Sequence, residues 1–212
     1  LFFVVFGINN WRILAFIWAG VPLLNAIYYS QVPIASLNED GESMPIKQLL
    51  LTKVFWVFVI LMICSGASEQ AMSQWASAFA EAGLKVSKTV GDLAGPCVFA
   101  ILMGCSRVFY SRFSERLNLR KFMIASSCLC IVSYMLAAFS PHPMLAFIGC
   151  GLCGLSVGIM WPGTFSLAAA NCPRGGTAMF AFLALAGDLG CSSGPTVVGF
   201  VAEKFHNSLK AG

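Results

Sequence analysis

The chain has 212 residues, of which 58% are hydrophobic and only 10% charged, with 13 Lys and Arg against nine Asp and Glu. Soluble domains carry about 25% charged residues, so the polar side chains here are too few to cover a globule in water. The net charge of +4 is no nucleic-acid signal either, because the basic residues fall in short loops rather than along one stripe. The composition implies an integral membrane protein with the lipid bilayer as its main partner and no nucleic acid; it is expected to be all-α and multi-pass, in the cell's inner (plasma) membrane.

The opening LFFVVF lacks the basic region and cleavage site of a signal peptide. It reads as the end of an apolar helix, and the whole sequence as a fragment of something longer. A hydrocarbon core of roughly 30 Å takes about 20 apolar residues of helix. By that measure six spans are predicted: Arg12–Pro33, Leu50–Phe79, Thr89–Phe113, Leu119–Phe139, Pro143–Ala170 and Gly175–Glu203. They are helices, because open strands leave backbone groups unsatisfied in lipid. Between the first two lies SLNEDGESMPIKQ (Ser36–Gln48), whose Gly, Pro and acidic residues mark a linker. The predicted organisation is therefore 1–35, a linker over 36–49, and a second group of helices over 50–212.

The second span carries CSGASEQAMSQWASAFAE (Cys64–Glu81). Ser65, Glu69, Ser73 and Ser77 form a polar stripe at helical spacing, with Gln70 and Gln74 in an adjacent row. So much polarity is expensive against lipid and is expected to face a water-filled cavity. Trp75 either joins that cavity or belongs to the interfacial aromatic belt. In the last span Asp188 either carries a proton or stays neutral and bonds a neighbouring helix.

Between the third and fourth spans, YSRFSERLNLRKFM (Tyr110–Met123) holds four of the thirteen basic residues. If loops alternate sides, Lys47, Lys53, Arg107, Arg112, Arg116, Arg120, Lys121 and Arg174 share one side, and five basic residues the other. Positive loops stay in the cytoplasm, so this loop is predicted to be cytoplasmic. Small-xxx-small pairs at Gly91/Gly95, Gly154/Gly158 and Gly190/Gly194 predict close helix crossings. Pro96, Pro162 and Pro195 predict bends. Eight of the nine cysteines lie in apolar runs and act as small hydrophobes; only Cys172 is expected in a loop, and no disulfide framework follows.

The sequence Glu115-Arg116-Leu117-Asn118-Leu119-Arg120-Lys121, preceded by Gly104 and Arg107, resembles a loop of the major facilitator superfamily (MFS). Those transporters place an acid-Arg-x-Gly-x-Arg-Arg/Lys loop between the second and third helices of each six-helix half. Asn118 stands where Gly is usual, and a helix end there would want a left-handed residue, which Asn tolerates. The resemblance implies a partial MFS-type bundle with the end of helix 5, then helices 6 to 11, and a missing N-terminal half as partner. It further implies a cytoplasmic gate of Arg107, Glu115, Arg116, Arg120 and Lys121, although the same charges suit plain topology-setting.

The second span is similar to helix 7 of the fucose- and glucose-type permeases of that superfamily, with Gly66-Ala67-Ser68-Glu69 followed by Trp75. That likeness implies a small solute, such as a sugar moved by proton symport, bound by Glu69, Gln70, Gln74 and Trp75, with Trp161 of the fifth span. Glu69 and Asp188 are the proton-coupling candidates. No enzyme activity, metal or cofactor is implied. The rival functions are a membrane-embedded hydrolase and a scaffold without a site. Gly190-Cys-Ser192-Ser-Gly194 spells a hydrolase elbow but follows no strand, and Gly149-Cys-Gly151-Leu-Cys-Gly154 lacks the strand a dinucleotide site needs. Cys150-x-x-Cys153 has no second pair to complete a metal site.

Overall fold

A computed structural model of the chain describes residues 11–32 and 44–204. LFFVVF and most of the predicted linker lie outside the described residues. Two compact units divide at Asp40–Gly41, a boundary inside the 36–49 segment. The first unit contributes helix α1 (Trp11–Tyr29). Its large apolar side chains, Phe16, Trp18, Leu24 and Tyr28 among them, are exposed, as suits a helix with lipid as solvent.

The second unit is a helical bundle. A short α2 (Ile46–Leu51) leads into α3 (Lys53–Leu84), then α4 (Lys88–Phe113), α5 (Leu119–Phe139), α6 (Pro143–Val157), α7 (Met160–Asn171) and α8 (Gly176–Lys204). No strand occurs among the described residues. Among the described residues, six segments are long and apolar enough to cross a membrane, α1 being one and α6 with α7 together making another. Helix α3 is the axis: it packs most extensively on α8, then on α4 and α6, while α5 lies mainly against α6.

Glycine makes those approaches possible. A Cβ on Gly190 of α8 would run into the carbonyl of Ile63 on α3, and one on Gly194 would sit 2.6 Å from the carbonyl of Ala67. Gly95 of α4 meets the backbone of Ala76 on α3, and Gly154 and Gly158 meet the backbone of Phe99 and Met103 on α4. Lipid offers no hydrophobic drive between helices, so this close van der Waals contact is what holds them.

Two buried clusters stack along α3. One joins Leu49, Phe55, Phe58 and Met62 to Met179 and Leu183 of α8. The other joins Met72 and Ala76 to Phe99, Cys130, Cys150, Cys153 and Val157. Buried hydroxyls bond back to their own helices: Ser133 Oγ donates to the Leu129 carbonyl at 2.7 Å and Thr164 Oγ1 to that of Met160 at 2.7 Å. This spares a polar group in lipid from needing a partner elsewhere.

The ends of the bundle sort as the loop alternation requires. The Met44 N–H donates to the Arg174 carbonyl at 2.8 Å, and Gly163 of α7 packs on Met123 and Leu119 of α5. The α4–α5 turn, the α7–α8 turn and the start of α2 therefore share one end, which carries Lys47, Arg112, Arg116, Arg120, Lys121 and Arg174.

One local expectation is corrected. Asn118 is not left-handed: its φ is −73°, and its side chain caps α5 by accepting the Lys121 N–H at 3.2 Å. An Asn here serves the start of the next helix rather than the end of the last. Cys172 lies, as expected, in the turn after α7, with its side chain buried in the core cluster.

Candidate functional site

The predicted fifth span is interrupted at Gly158–Ile159, and the break has a chemical cause. In an α-helix the N–H of residue i bonds the carbonyl of residue i−4. Pro162 has no N–H, so the Gly158 carbonyl loses its partner. Arg107, on α4, replaces it: its Nε donates to the Gly158 oxygen at 2.9 Å. The guanidinium also leans on Met103 Sδ at 3.8 Å. Gly158 permits this, because a side chain there would press on the Met103 carbonyl at 2.6 Å.

Beside this junction lies a cleft of about 770 Å³ walled by α3, α4 and α7. Glu69 enters it from α3, Arg107 and Tyr110 from α4, and Trp161 and Phe165 from α7. It extends to Ser111 and Ser114, beside the basic turn. Glu69 Oε2 is buried without a hydrogen-bond partner among the described residues, and so is Trp161 Nε1. The indole lies over Gly187 of α8, where a Cβ would strike its ring, and pairs with Phe165 at 6.3 Å. One carboxylate, one guanidinium and an aromatic wall thus share one intramembrane space.

The other residues singled out in the sequence go elsewhere. Gln70 and Gln74 line a separate cavity with Cys191, Ser192, Pro195 and Thr196 of α8. Trp75 lines an apolar cavity of about 520 Å³ with Phe79, Tyr134, Met135 and Phe139. Next to it, Tyr134 Oη donates to the Ser68 carbonyl at 2.8 Å. Asp188 is exposed on α8 and does not line the Glu69 cleft. Two hydroxyls of the stripe already have partners in the protein, Ser65 on the Leu61 carbonyl and Ser77 on the Asp92 carboxylate, and the flanking Ser68 bonds the Cys64 carbonyl. Glu115, Arg116, Arg120 and Lys121 are exposed at the α4–α5 turn, whereas Arg107, also exposed, lies within α4, under two turns from its end, and lines the cleft. The sequence reasoning missed Tyr110 and Phe165, and it grouped Arg107 with the loop. The pairing of Pro162 with the carbonyl four residues earlier was the available signal for the junction.

Such a multi-pass helical bundle, with a carboxylate and a guanidinium facing one cleft and basic turns at one end, defines a polytopic membrane protein. The sequence profile of the Major Facilitator Superfamily matches residues 1–195, and the chain belongs to that superfamily. It is 26% identical over 147 residues to "Membrane protein MosC" of Rhizobium meliloti, a match covering 69% of this chain. The match spans 36% of that relative's length. No solved structure matches the chain.

Proposed function

We propose that the chain is the C-terminal half, with the end of the N-terminal half, of a secondary transporter that moves a small hydroxylated solute by alternating access. The observation that carries this reading is the intramembrane cleft holding Glu69 and Arg107. Ionisable residues inside a membrane are costly and mark solute and ion paths. Glu69 is the proton-coupling residue of choice, since its Oε2 is buried and unbonded, with Asp188 as an accessory on α8. Trp161 supplies a face for a sugar-like ring, and Gln70 and Gln74 supply hydrogen bonds at the neighbouring polar face. Glu115, Arg116, Arg120 and Lys121 close the cytoplasmic end against the other half, in the plasma membrane.

The test uses the complete transporter in liposomes, with a panel of sugars, organic acids and amino acids. Uptake of at least one solute is expected to follow an imposed pH gradient. It should collapse with an uncoupler and with Glu69→Gln, while counterflow exchange of that solute persists in the variant. If no solute moves under any gradient, the transporter reading fails and a helical scaffold without a site replaces it.

A further inference from the structure

We infer that the transported solute is a monoanionic hydroxy acid whose carboxylate is held by Arg107, and that one proton on Glu69 accompanies it. The inference rests on the transporter reading and narrows it to a substrate class.

The argument is one of charge. Glu69 and Arg107 face the same cleft with no bond from Glu69 Oε2 to any described residue. Ionised, the two sum to zero. Charge that is not compensated in a low-dielectric space is expensive. A neutral sugar arriving with a proton on Glu69 would leave Arg107 uncompensated. A carboxylate arriving with that proton restores zero net charge, so solute and proton cross together without net charge movement. Arg107 is the one cation among the residues lining the cleft, which suits a single carboxylate rather than a phosphate dianion.

The geometry of Arg107 agrees. Its Nε is committed to the Gly158 carbonyl and one Nη to the Met103 sulfur, an arrangement that fixes the plane of the guanidinium. The remaining N–H donors make no hydrogen bond to another described residue. A planar guanidinium with donors to spare is suited to carboxylate. Hydroxyls and an apolar ring face are met by Tyr110, Ser111 and Ser114 and by Trp161 and Phe165. The unbonded Trp161 Nε1 adds one donor for a solute oxygen. The other titratable groups around Glu69 are Tyr110 of α4 in the cleft and, on α8, Cys191, with Asp188 beside it.

The experiment uses the complete transporter in liposomes with two matched pairs of probes: glucuronate with glucose, and galacturonate with galactose. At least one uronate is expected to accumulate under a pH gradient and to be indifferent to an imposed membrane potential. Arg107→Gln should raise KM for that uronate about tenfold or more, the loss expected for one charge-assisted contact, without a matching change for the sugar. Because Arg107 also satisfies the Gly158 carbonyl, Arg107→Gln is repeated on a Pro162→Ala background, where residue 162 regains the N–H that Gly158 needs. If the uronate-to-sugar KM ratio in the double variant equals that of Pro162→Ala alone, Arg107 is structural and the inference is overturned. Transport of sugars without uronates overturns it too, as does uronate uptake that generates a potential. Movement of other solutes but of neither pair overturns the substrate class and leaves the transporter reading standing; movement of nothing removes both.

Discussion

Gly190→Ala and Gly199→Ala place the same methyl group on the same helix at two sites with opposite surroundings. At Gly199 a Cβ meets nothing within 4 Å. At Gly190 it meets the Ile63 carbonyl oxygen, with the Ala67 nitrogen and the Ile63 carbonyl carbon each at 2.9 Å. All three are backbone atoms of α3, so no side chain can swing aside and the helices must separate. Alanine gains about 0.5–1 kcal/mol over glycine inside a helix at either site. That gain cancels in the comparison, which leaves the overpacking cost of about 1–3 kcal/mol. For a chain of this size the gap corresponds to roughly 2–12 °C in Tm. Thermal unfolding of both purified variants in one detergent, followed by tryptophan fluorescence, measures it. Gly199→Ala should melt at or slightly above the parent and Gly190→Ala clearly below Gly199→Ala. Equal melting temperatures would refute the claim that α3 and α8 touch through backbone at this crossing.

Asn118→Ala should cost about 1 kcal/mol, as a lost N-cap does, and Asn118→Gly only a few tenths; a melting temperature raised by Gly would instead restore the left-handed expectation. Tyr134→Phe removes the hydroxyl that bonds the Ser68 carbonyl and should lower stability by about 0.5–1.5 kcal/mol. The same melting assay reads it, and no change would mean that water serves the Ser68 carbonyl equally well.

The span limits were legible because lipid leaves a crossing helix few choices. Apolar length and loop charge are written along the chain, and the glycine pairs announced which faces could approach. The site was harder. Glu69, Gln70, Gln74 and Trp75 look like one group in a line of text, but successive residues turn about 100° around a helix. Gln70 and Gln74 stand about 40° apart and share a cavity. Glu69 and Trp75 stand about 120° apart and open into two different ones. A helical wheel would have separated them. Nothing along the chain, by contrast, would have joined Arg107 to Gly158, 51 residues away. The missing proton donor at Pro162 told where a partner was needed, and only the folded bundle told which side chain answered.

The same missing bond divides one membrane crossing into two stiff rods. At 1.5 Å per residue, the 12 residues of α7 make a lever of about 18 Å. A tilt of about ten degrees at the joint moves its far end by about 3 Å, roughly the width of one side chain. Trp161 and Phe165 ride on the inner part of that lever, while Asn171 marks its tip. A modest turn about the Gly158 carbonyl would therefore move Trp161 least, Phe165 about half as far as the tip, and the end of α7 beside the basic turns most.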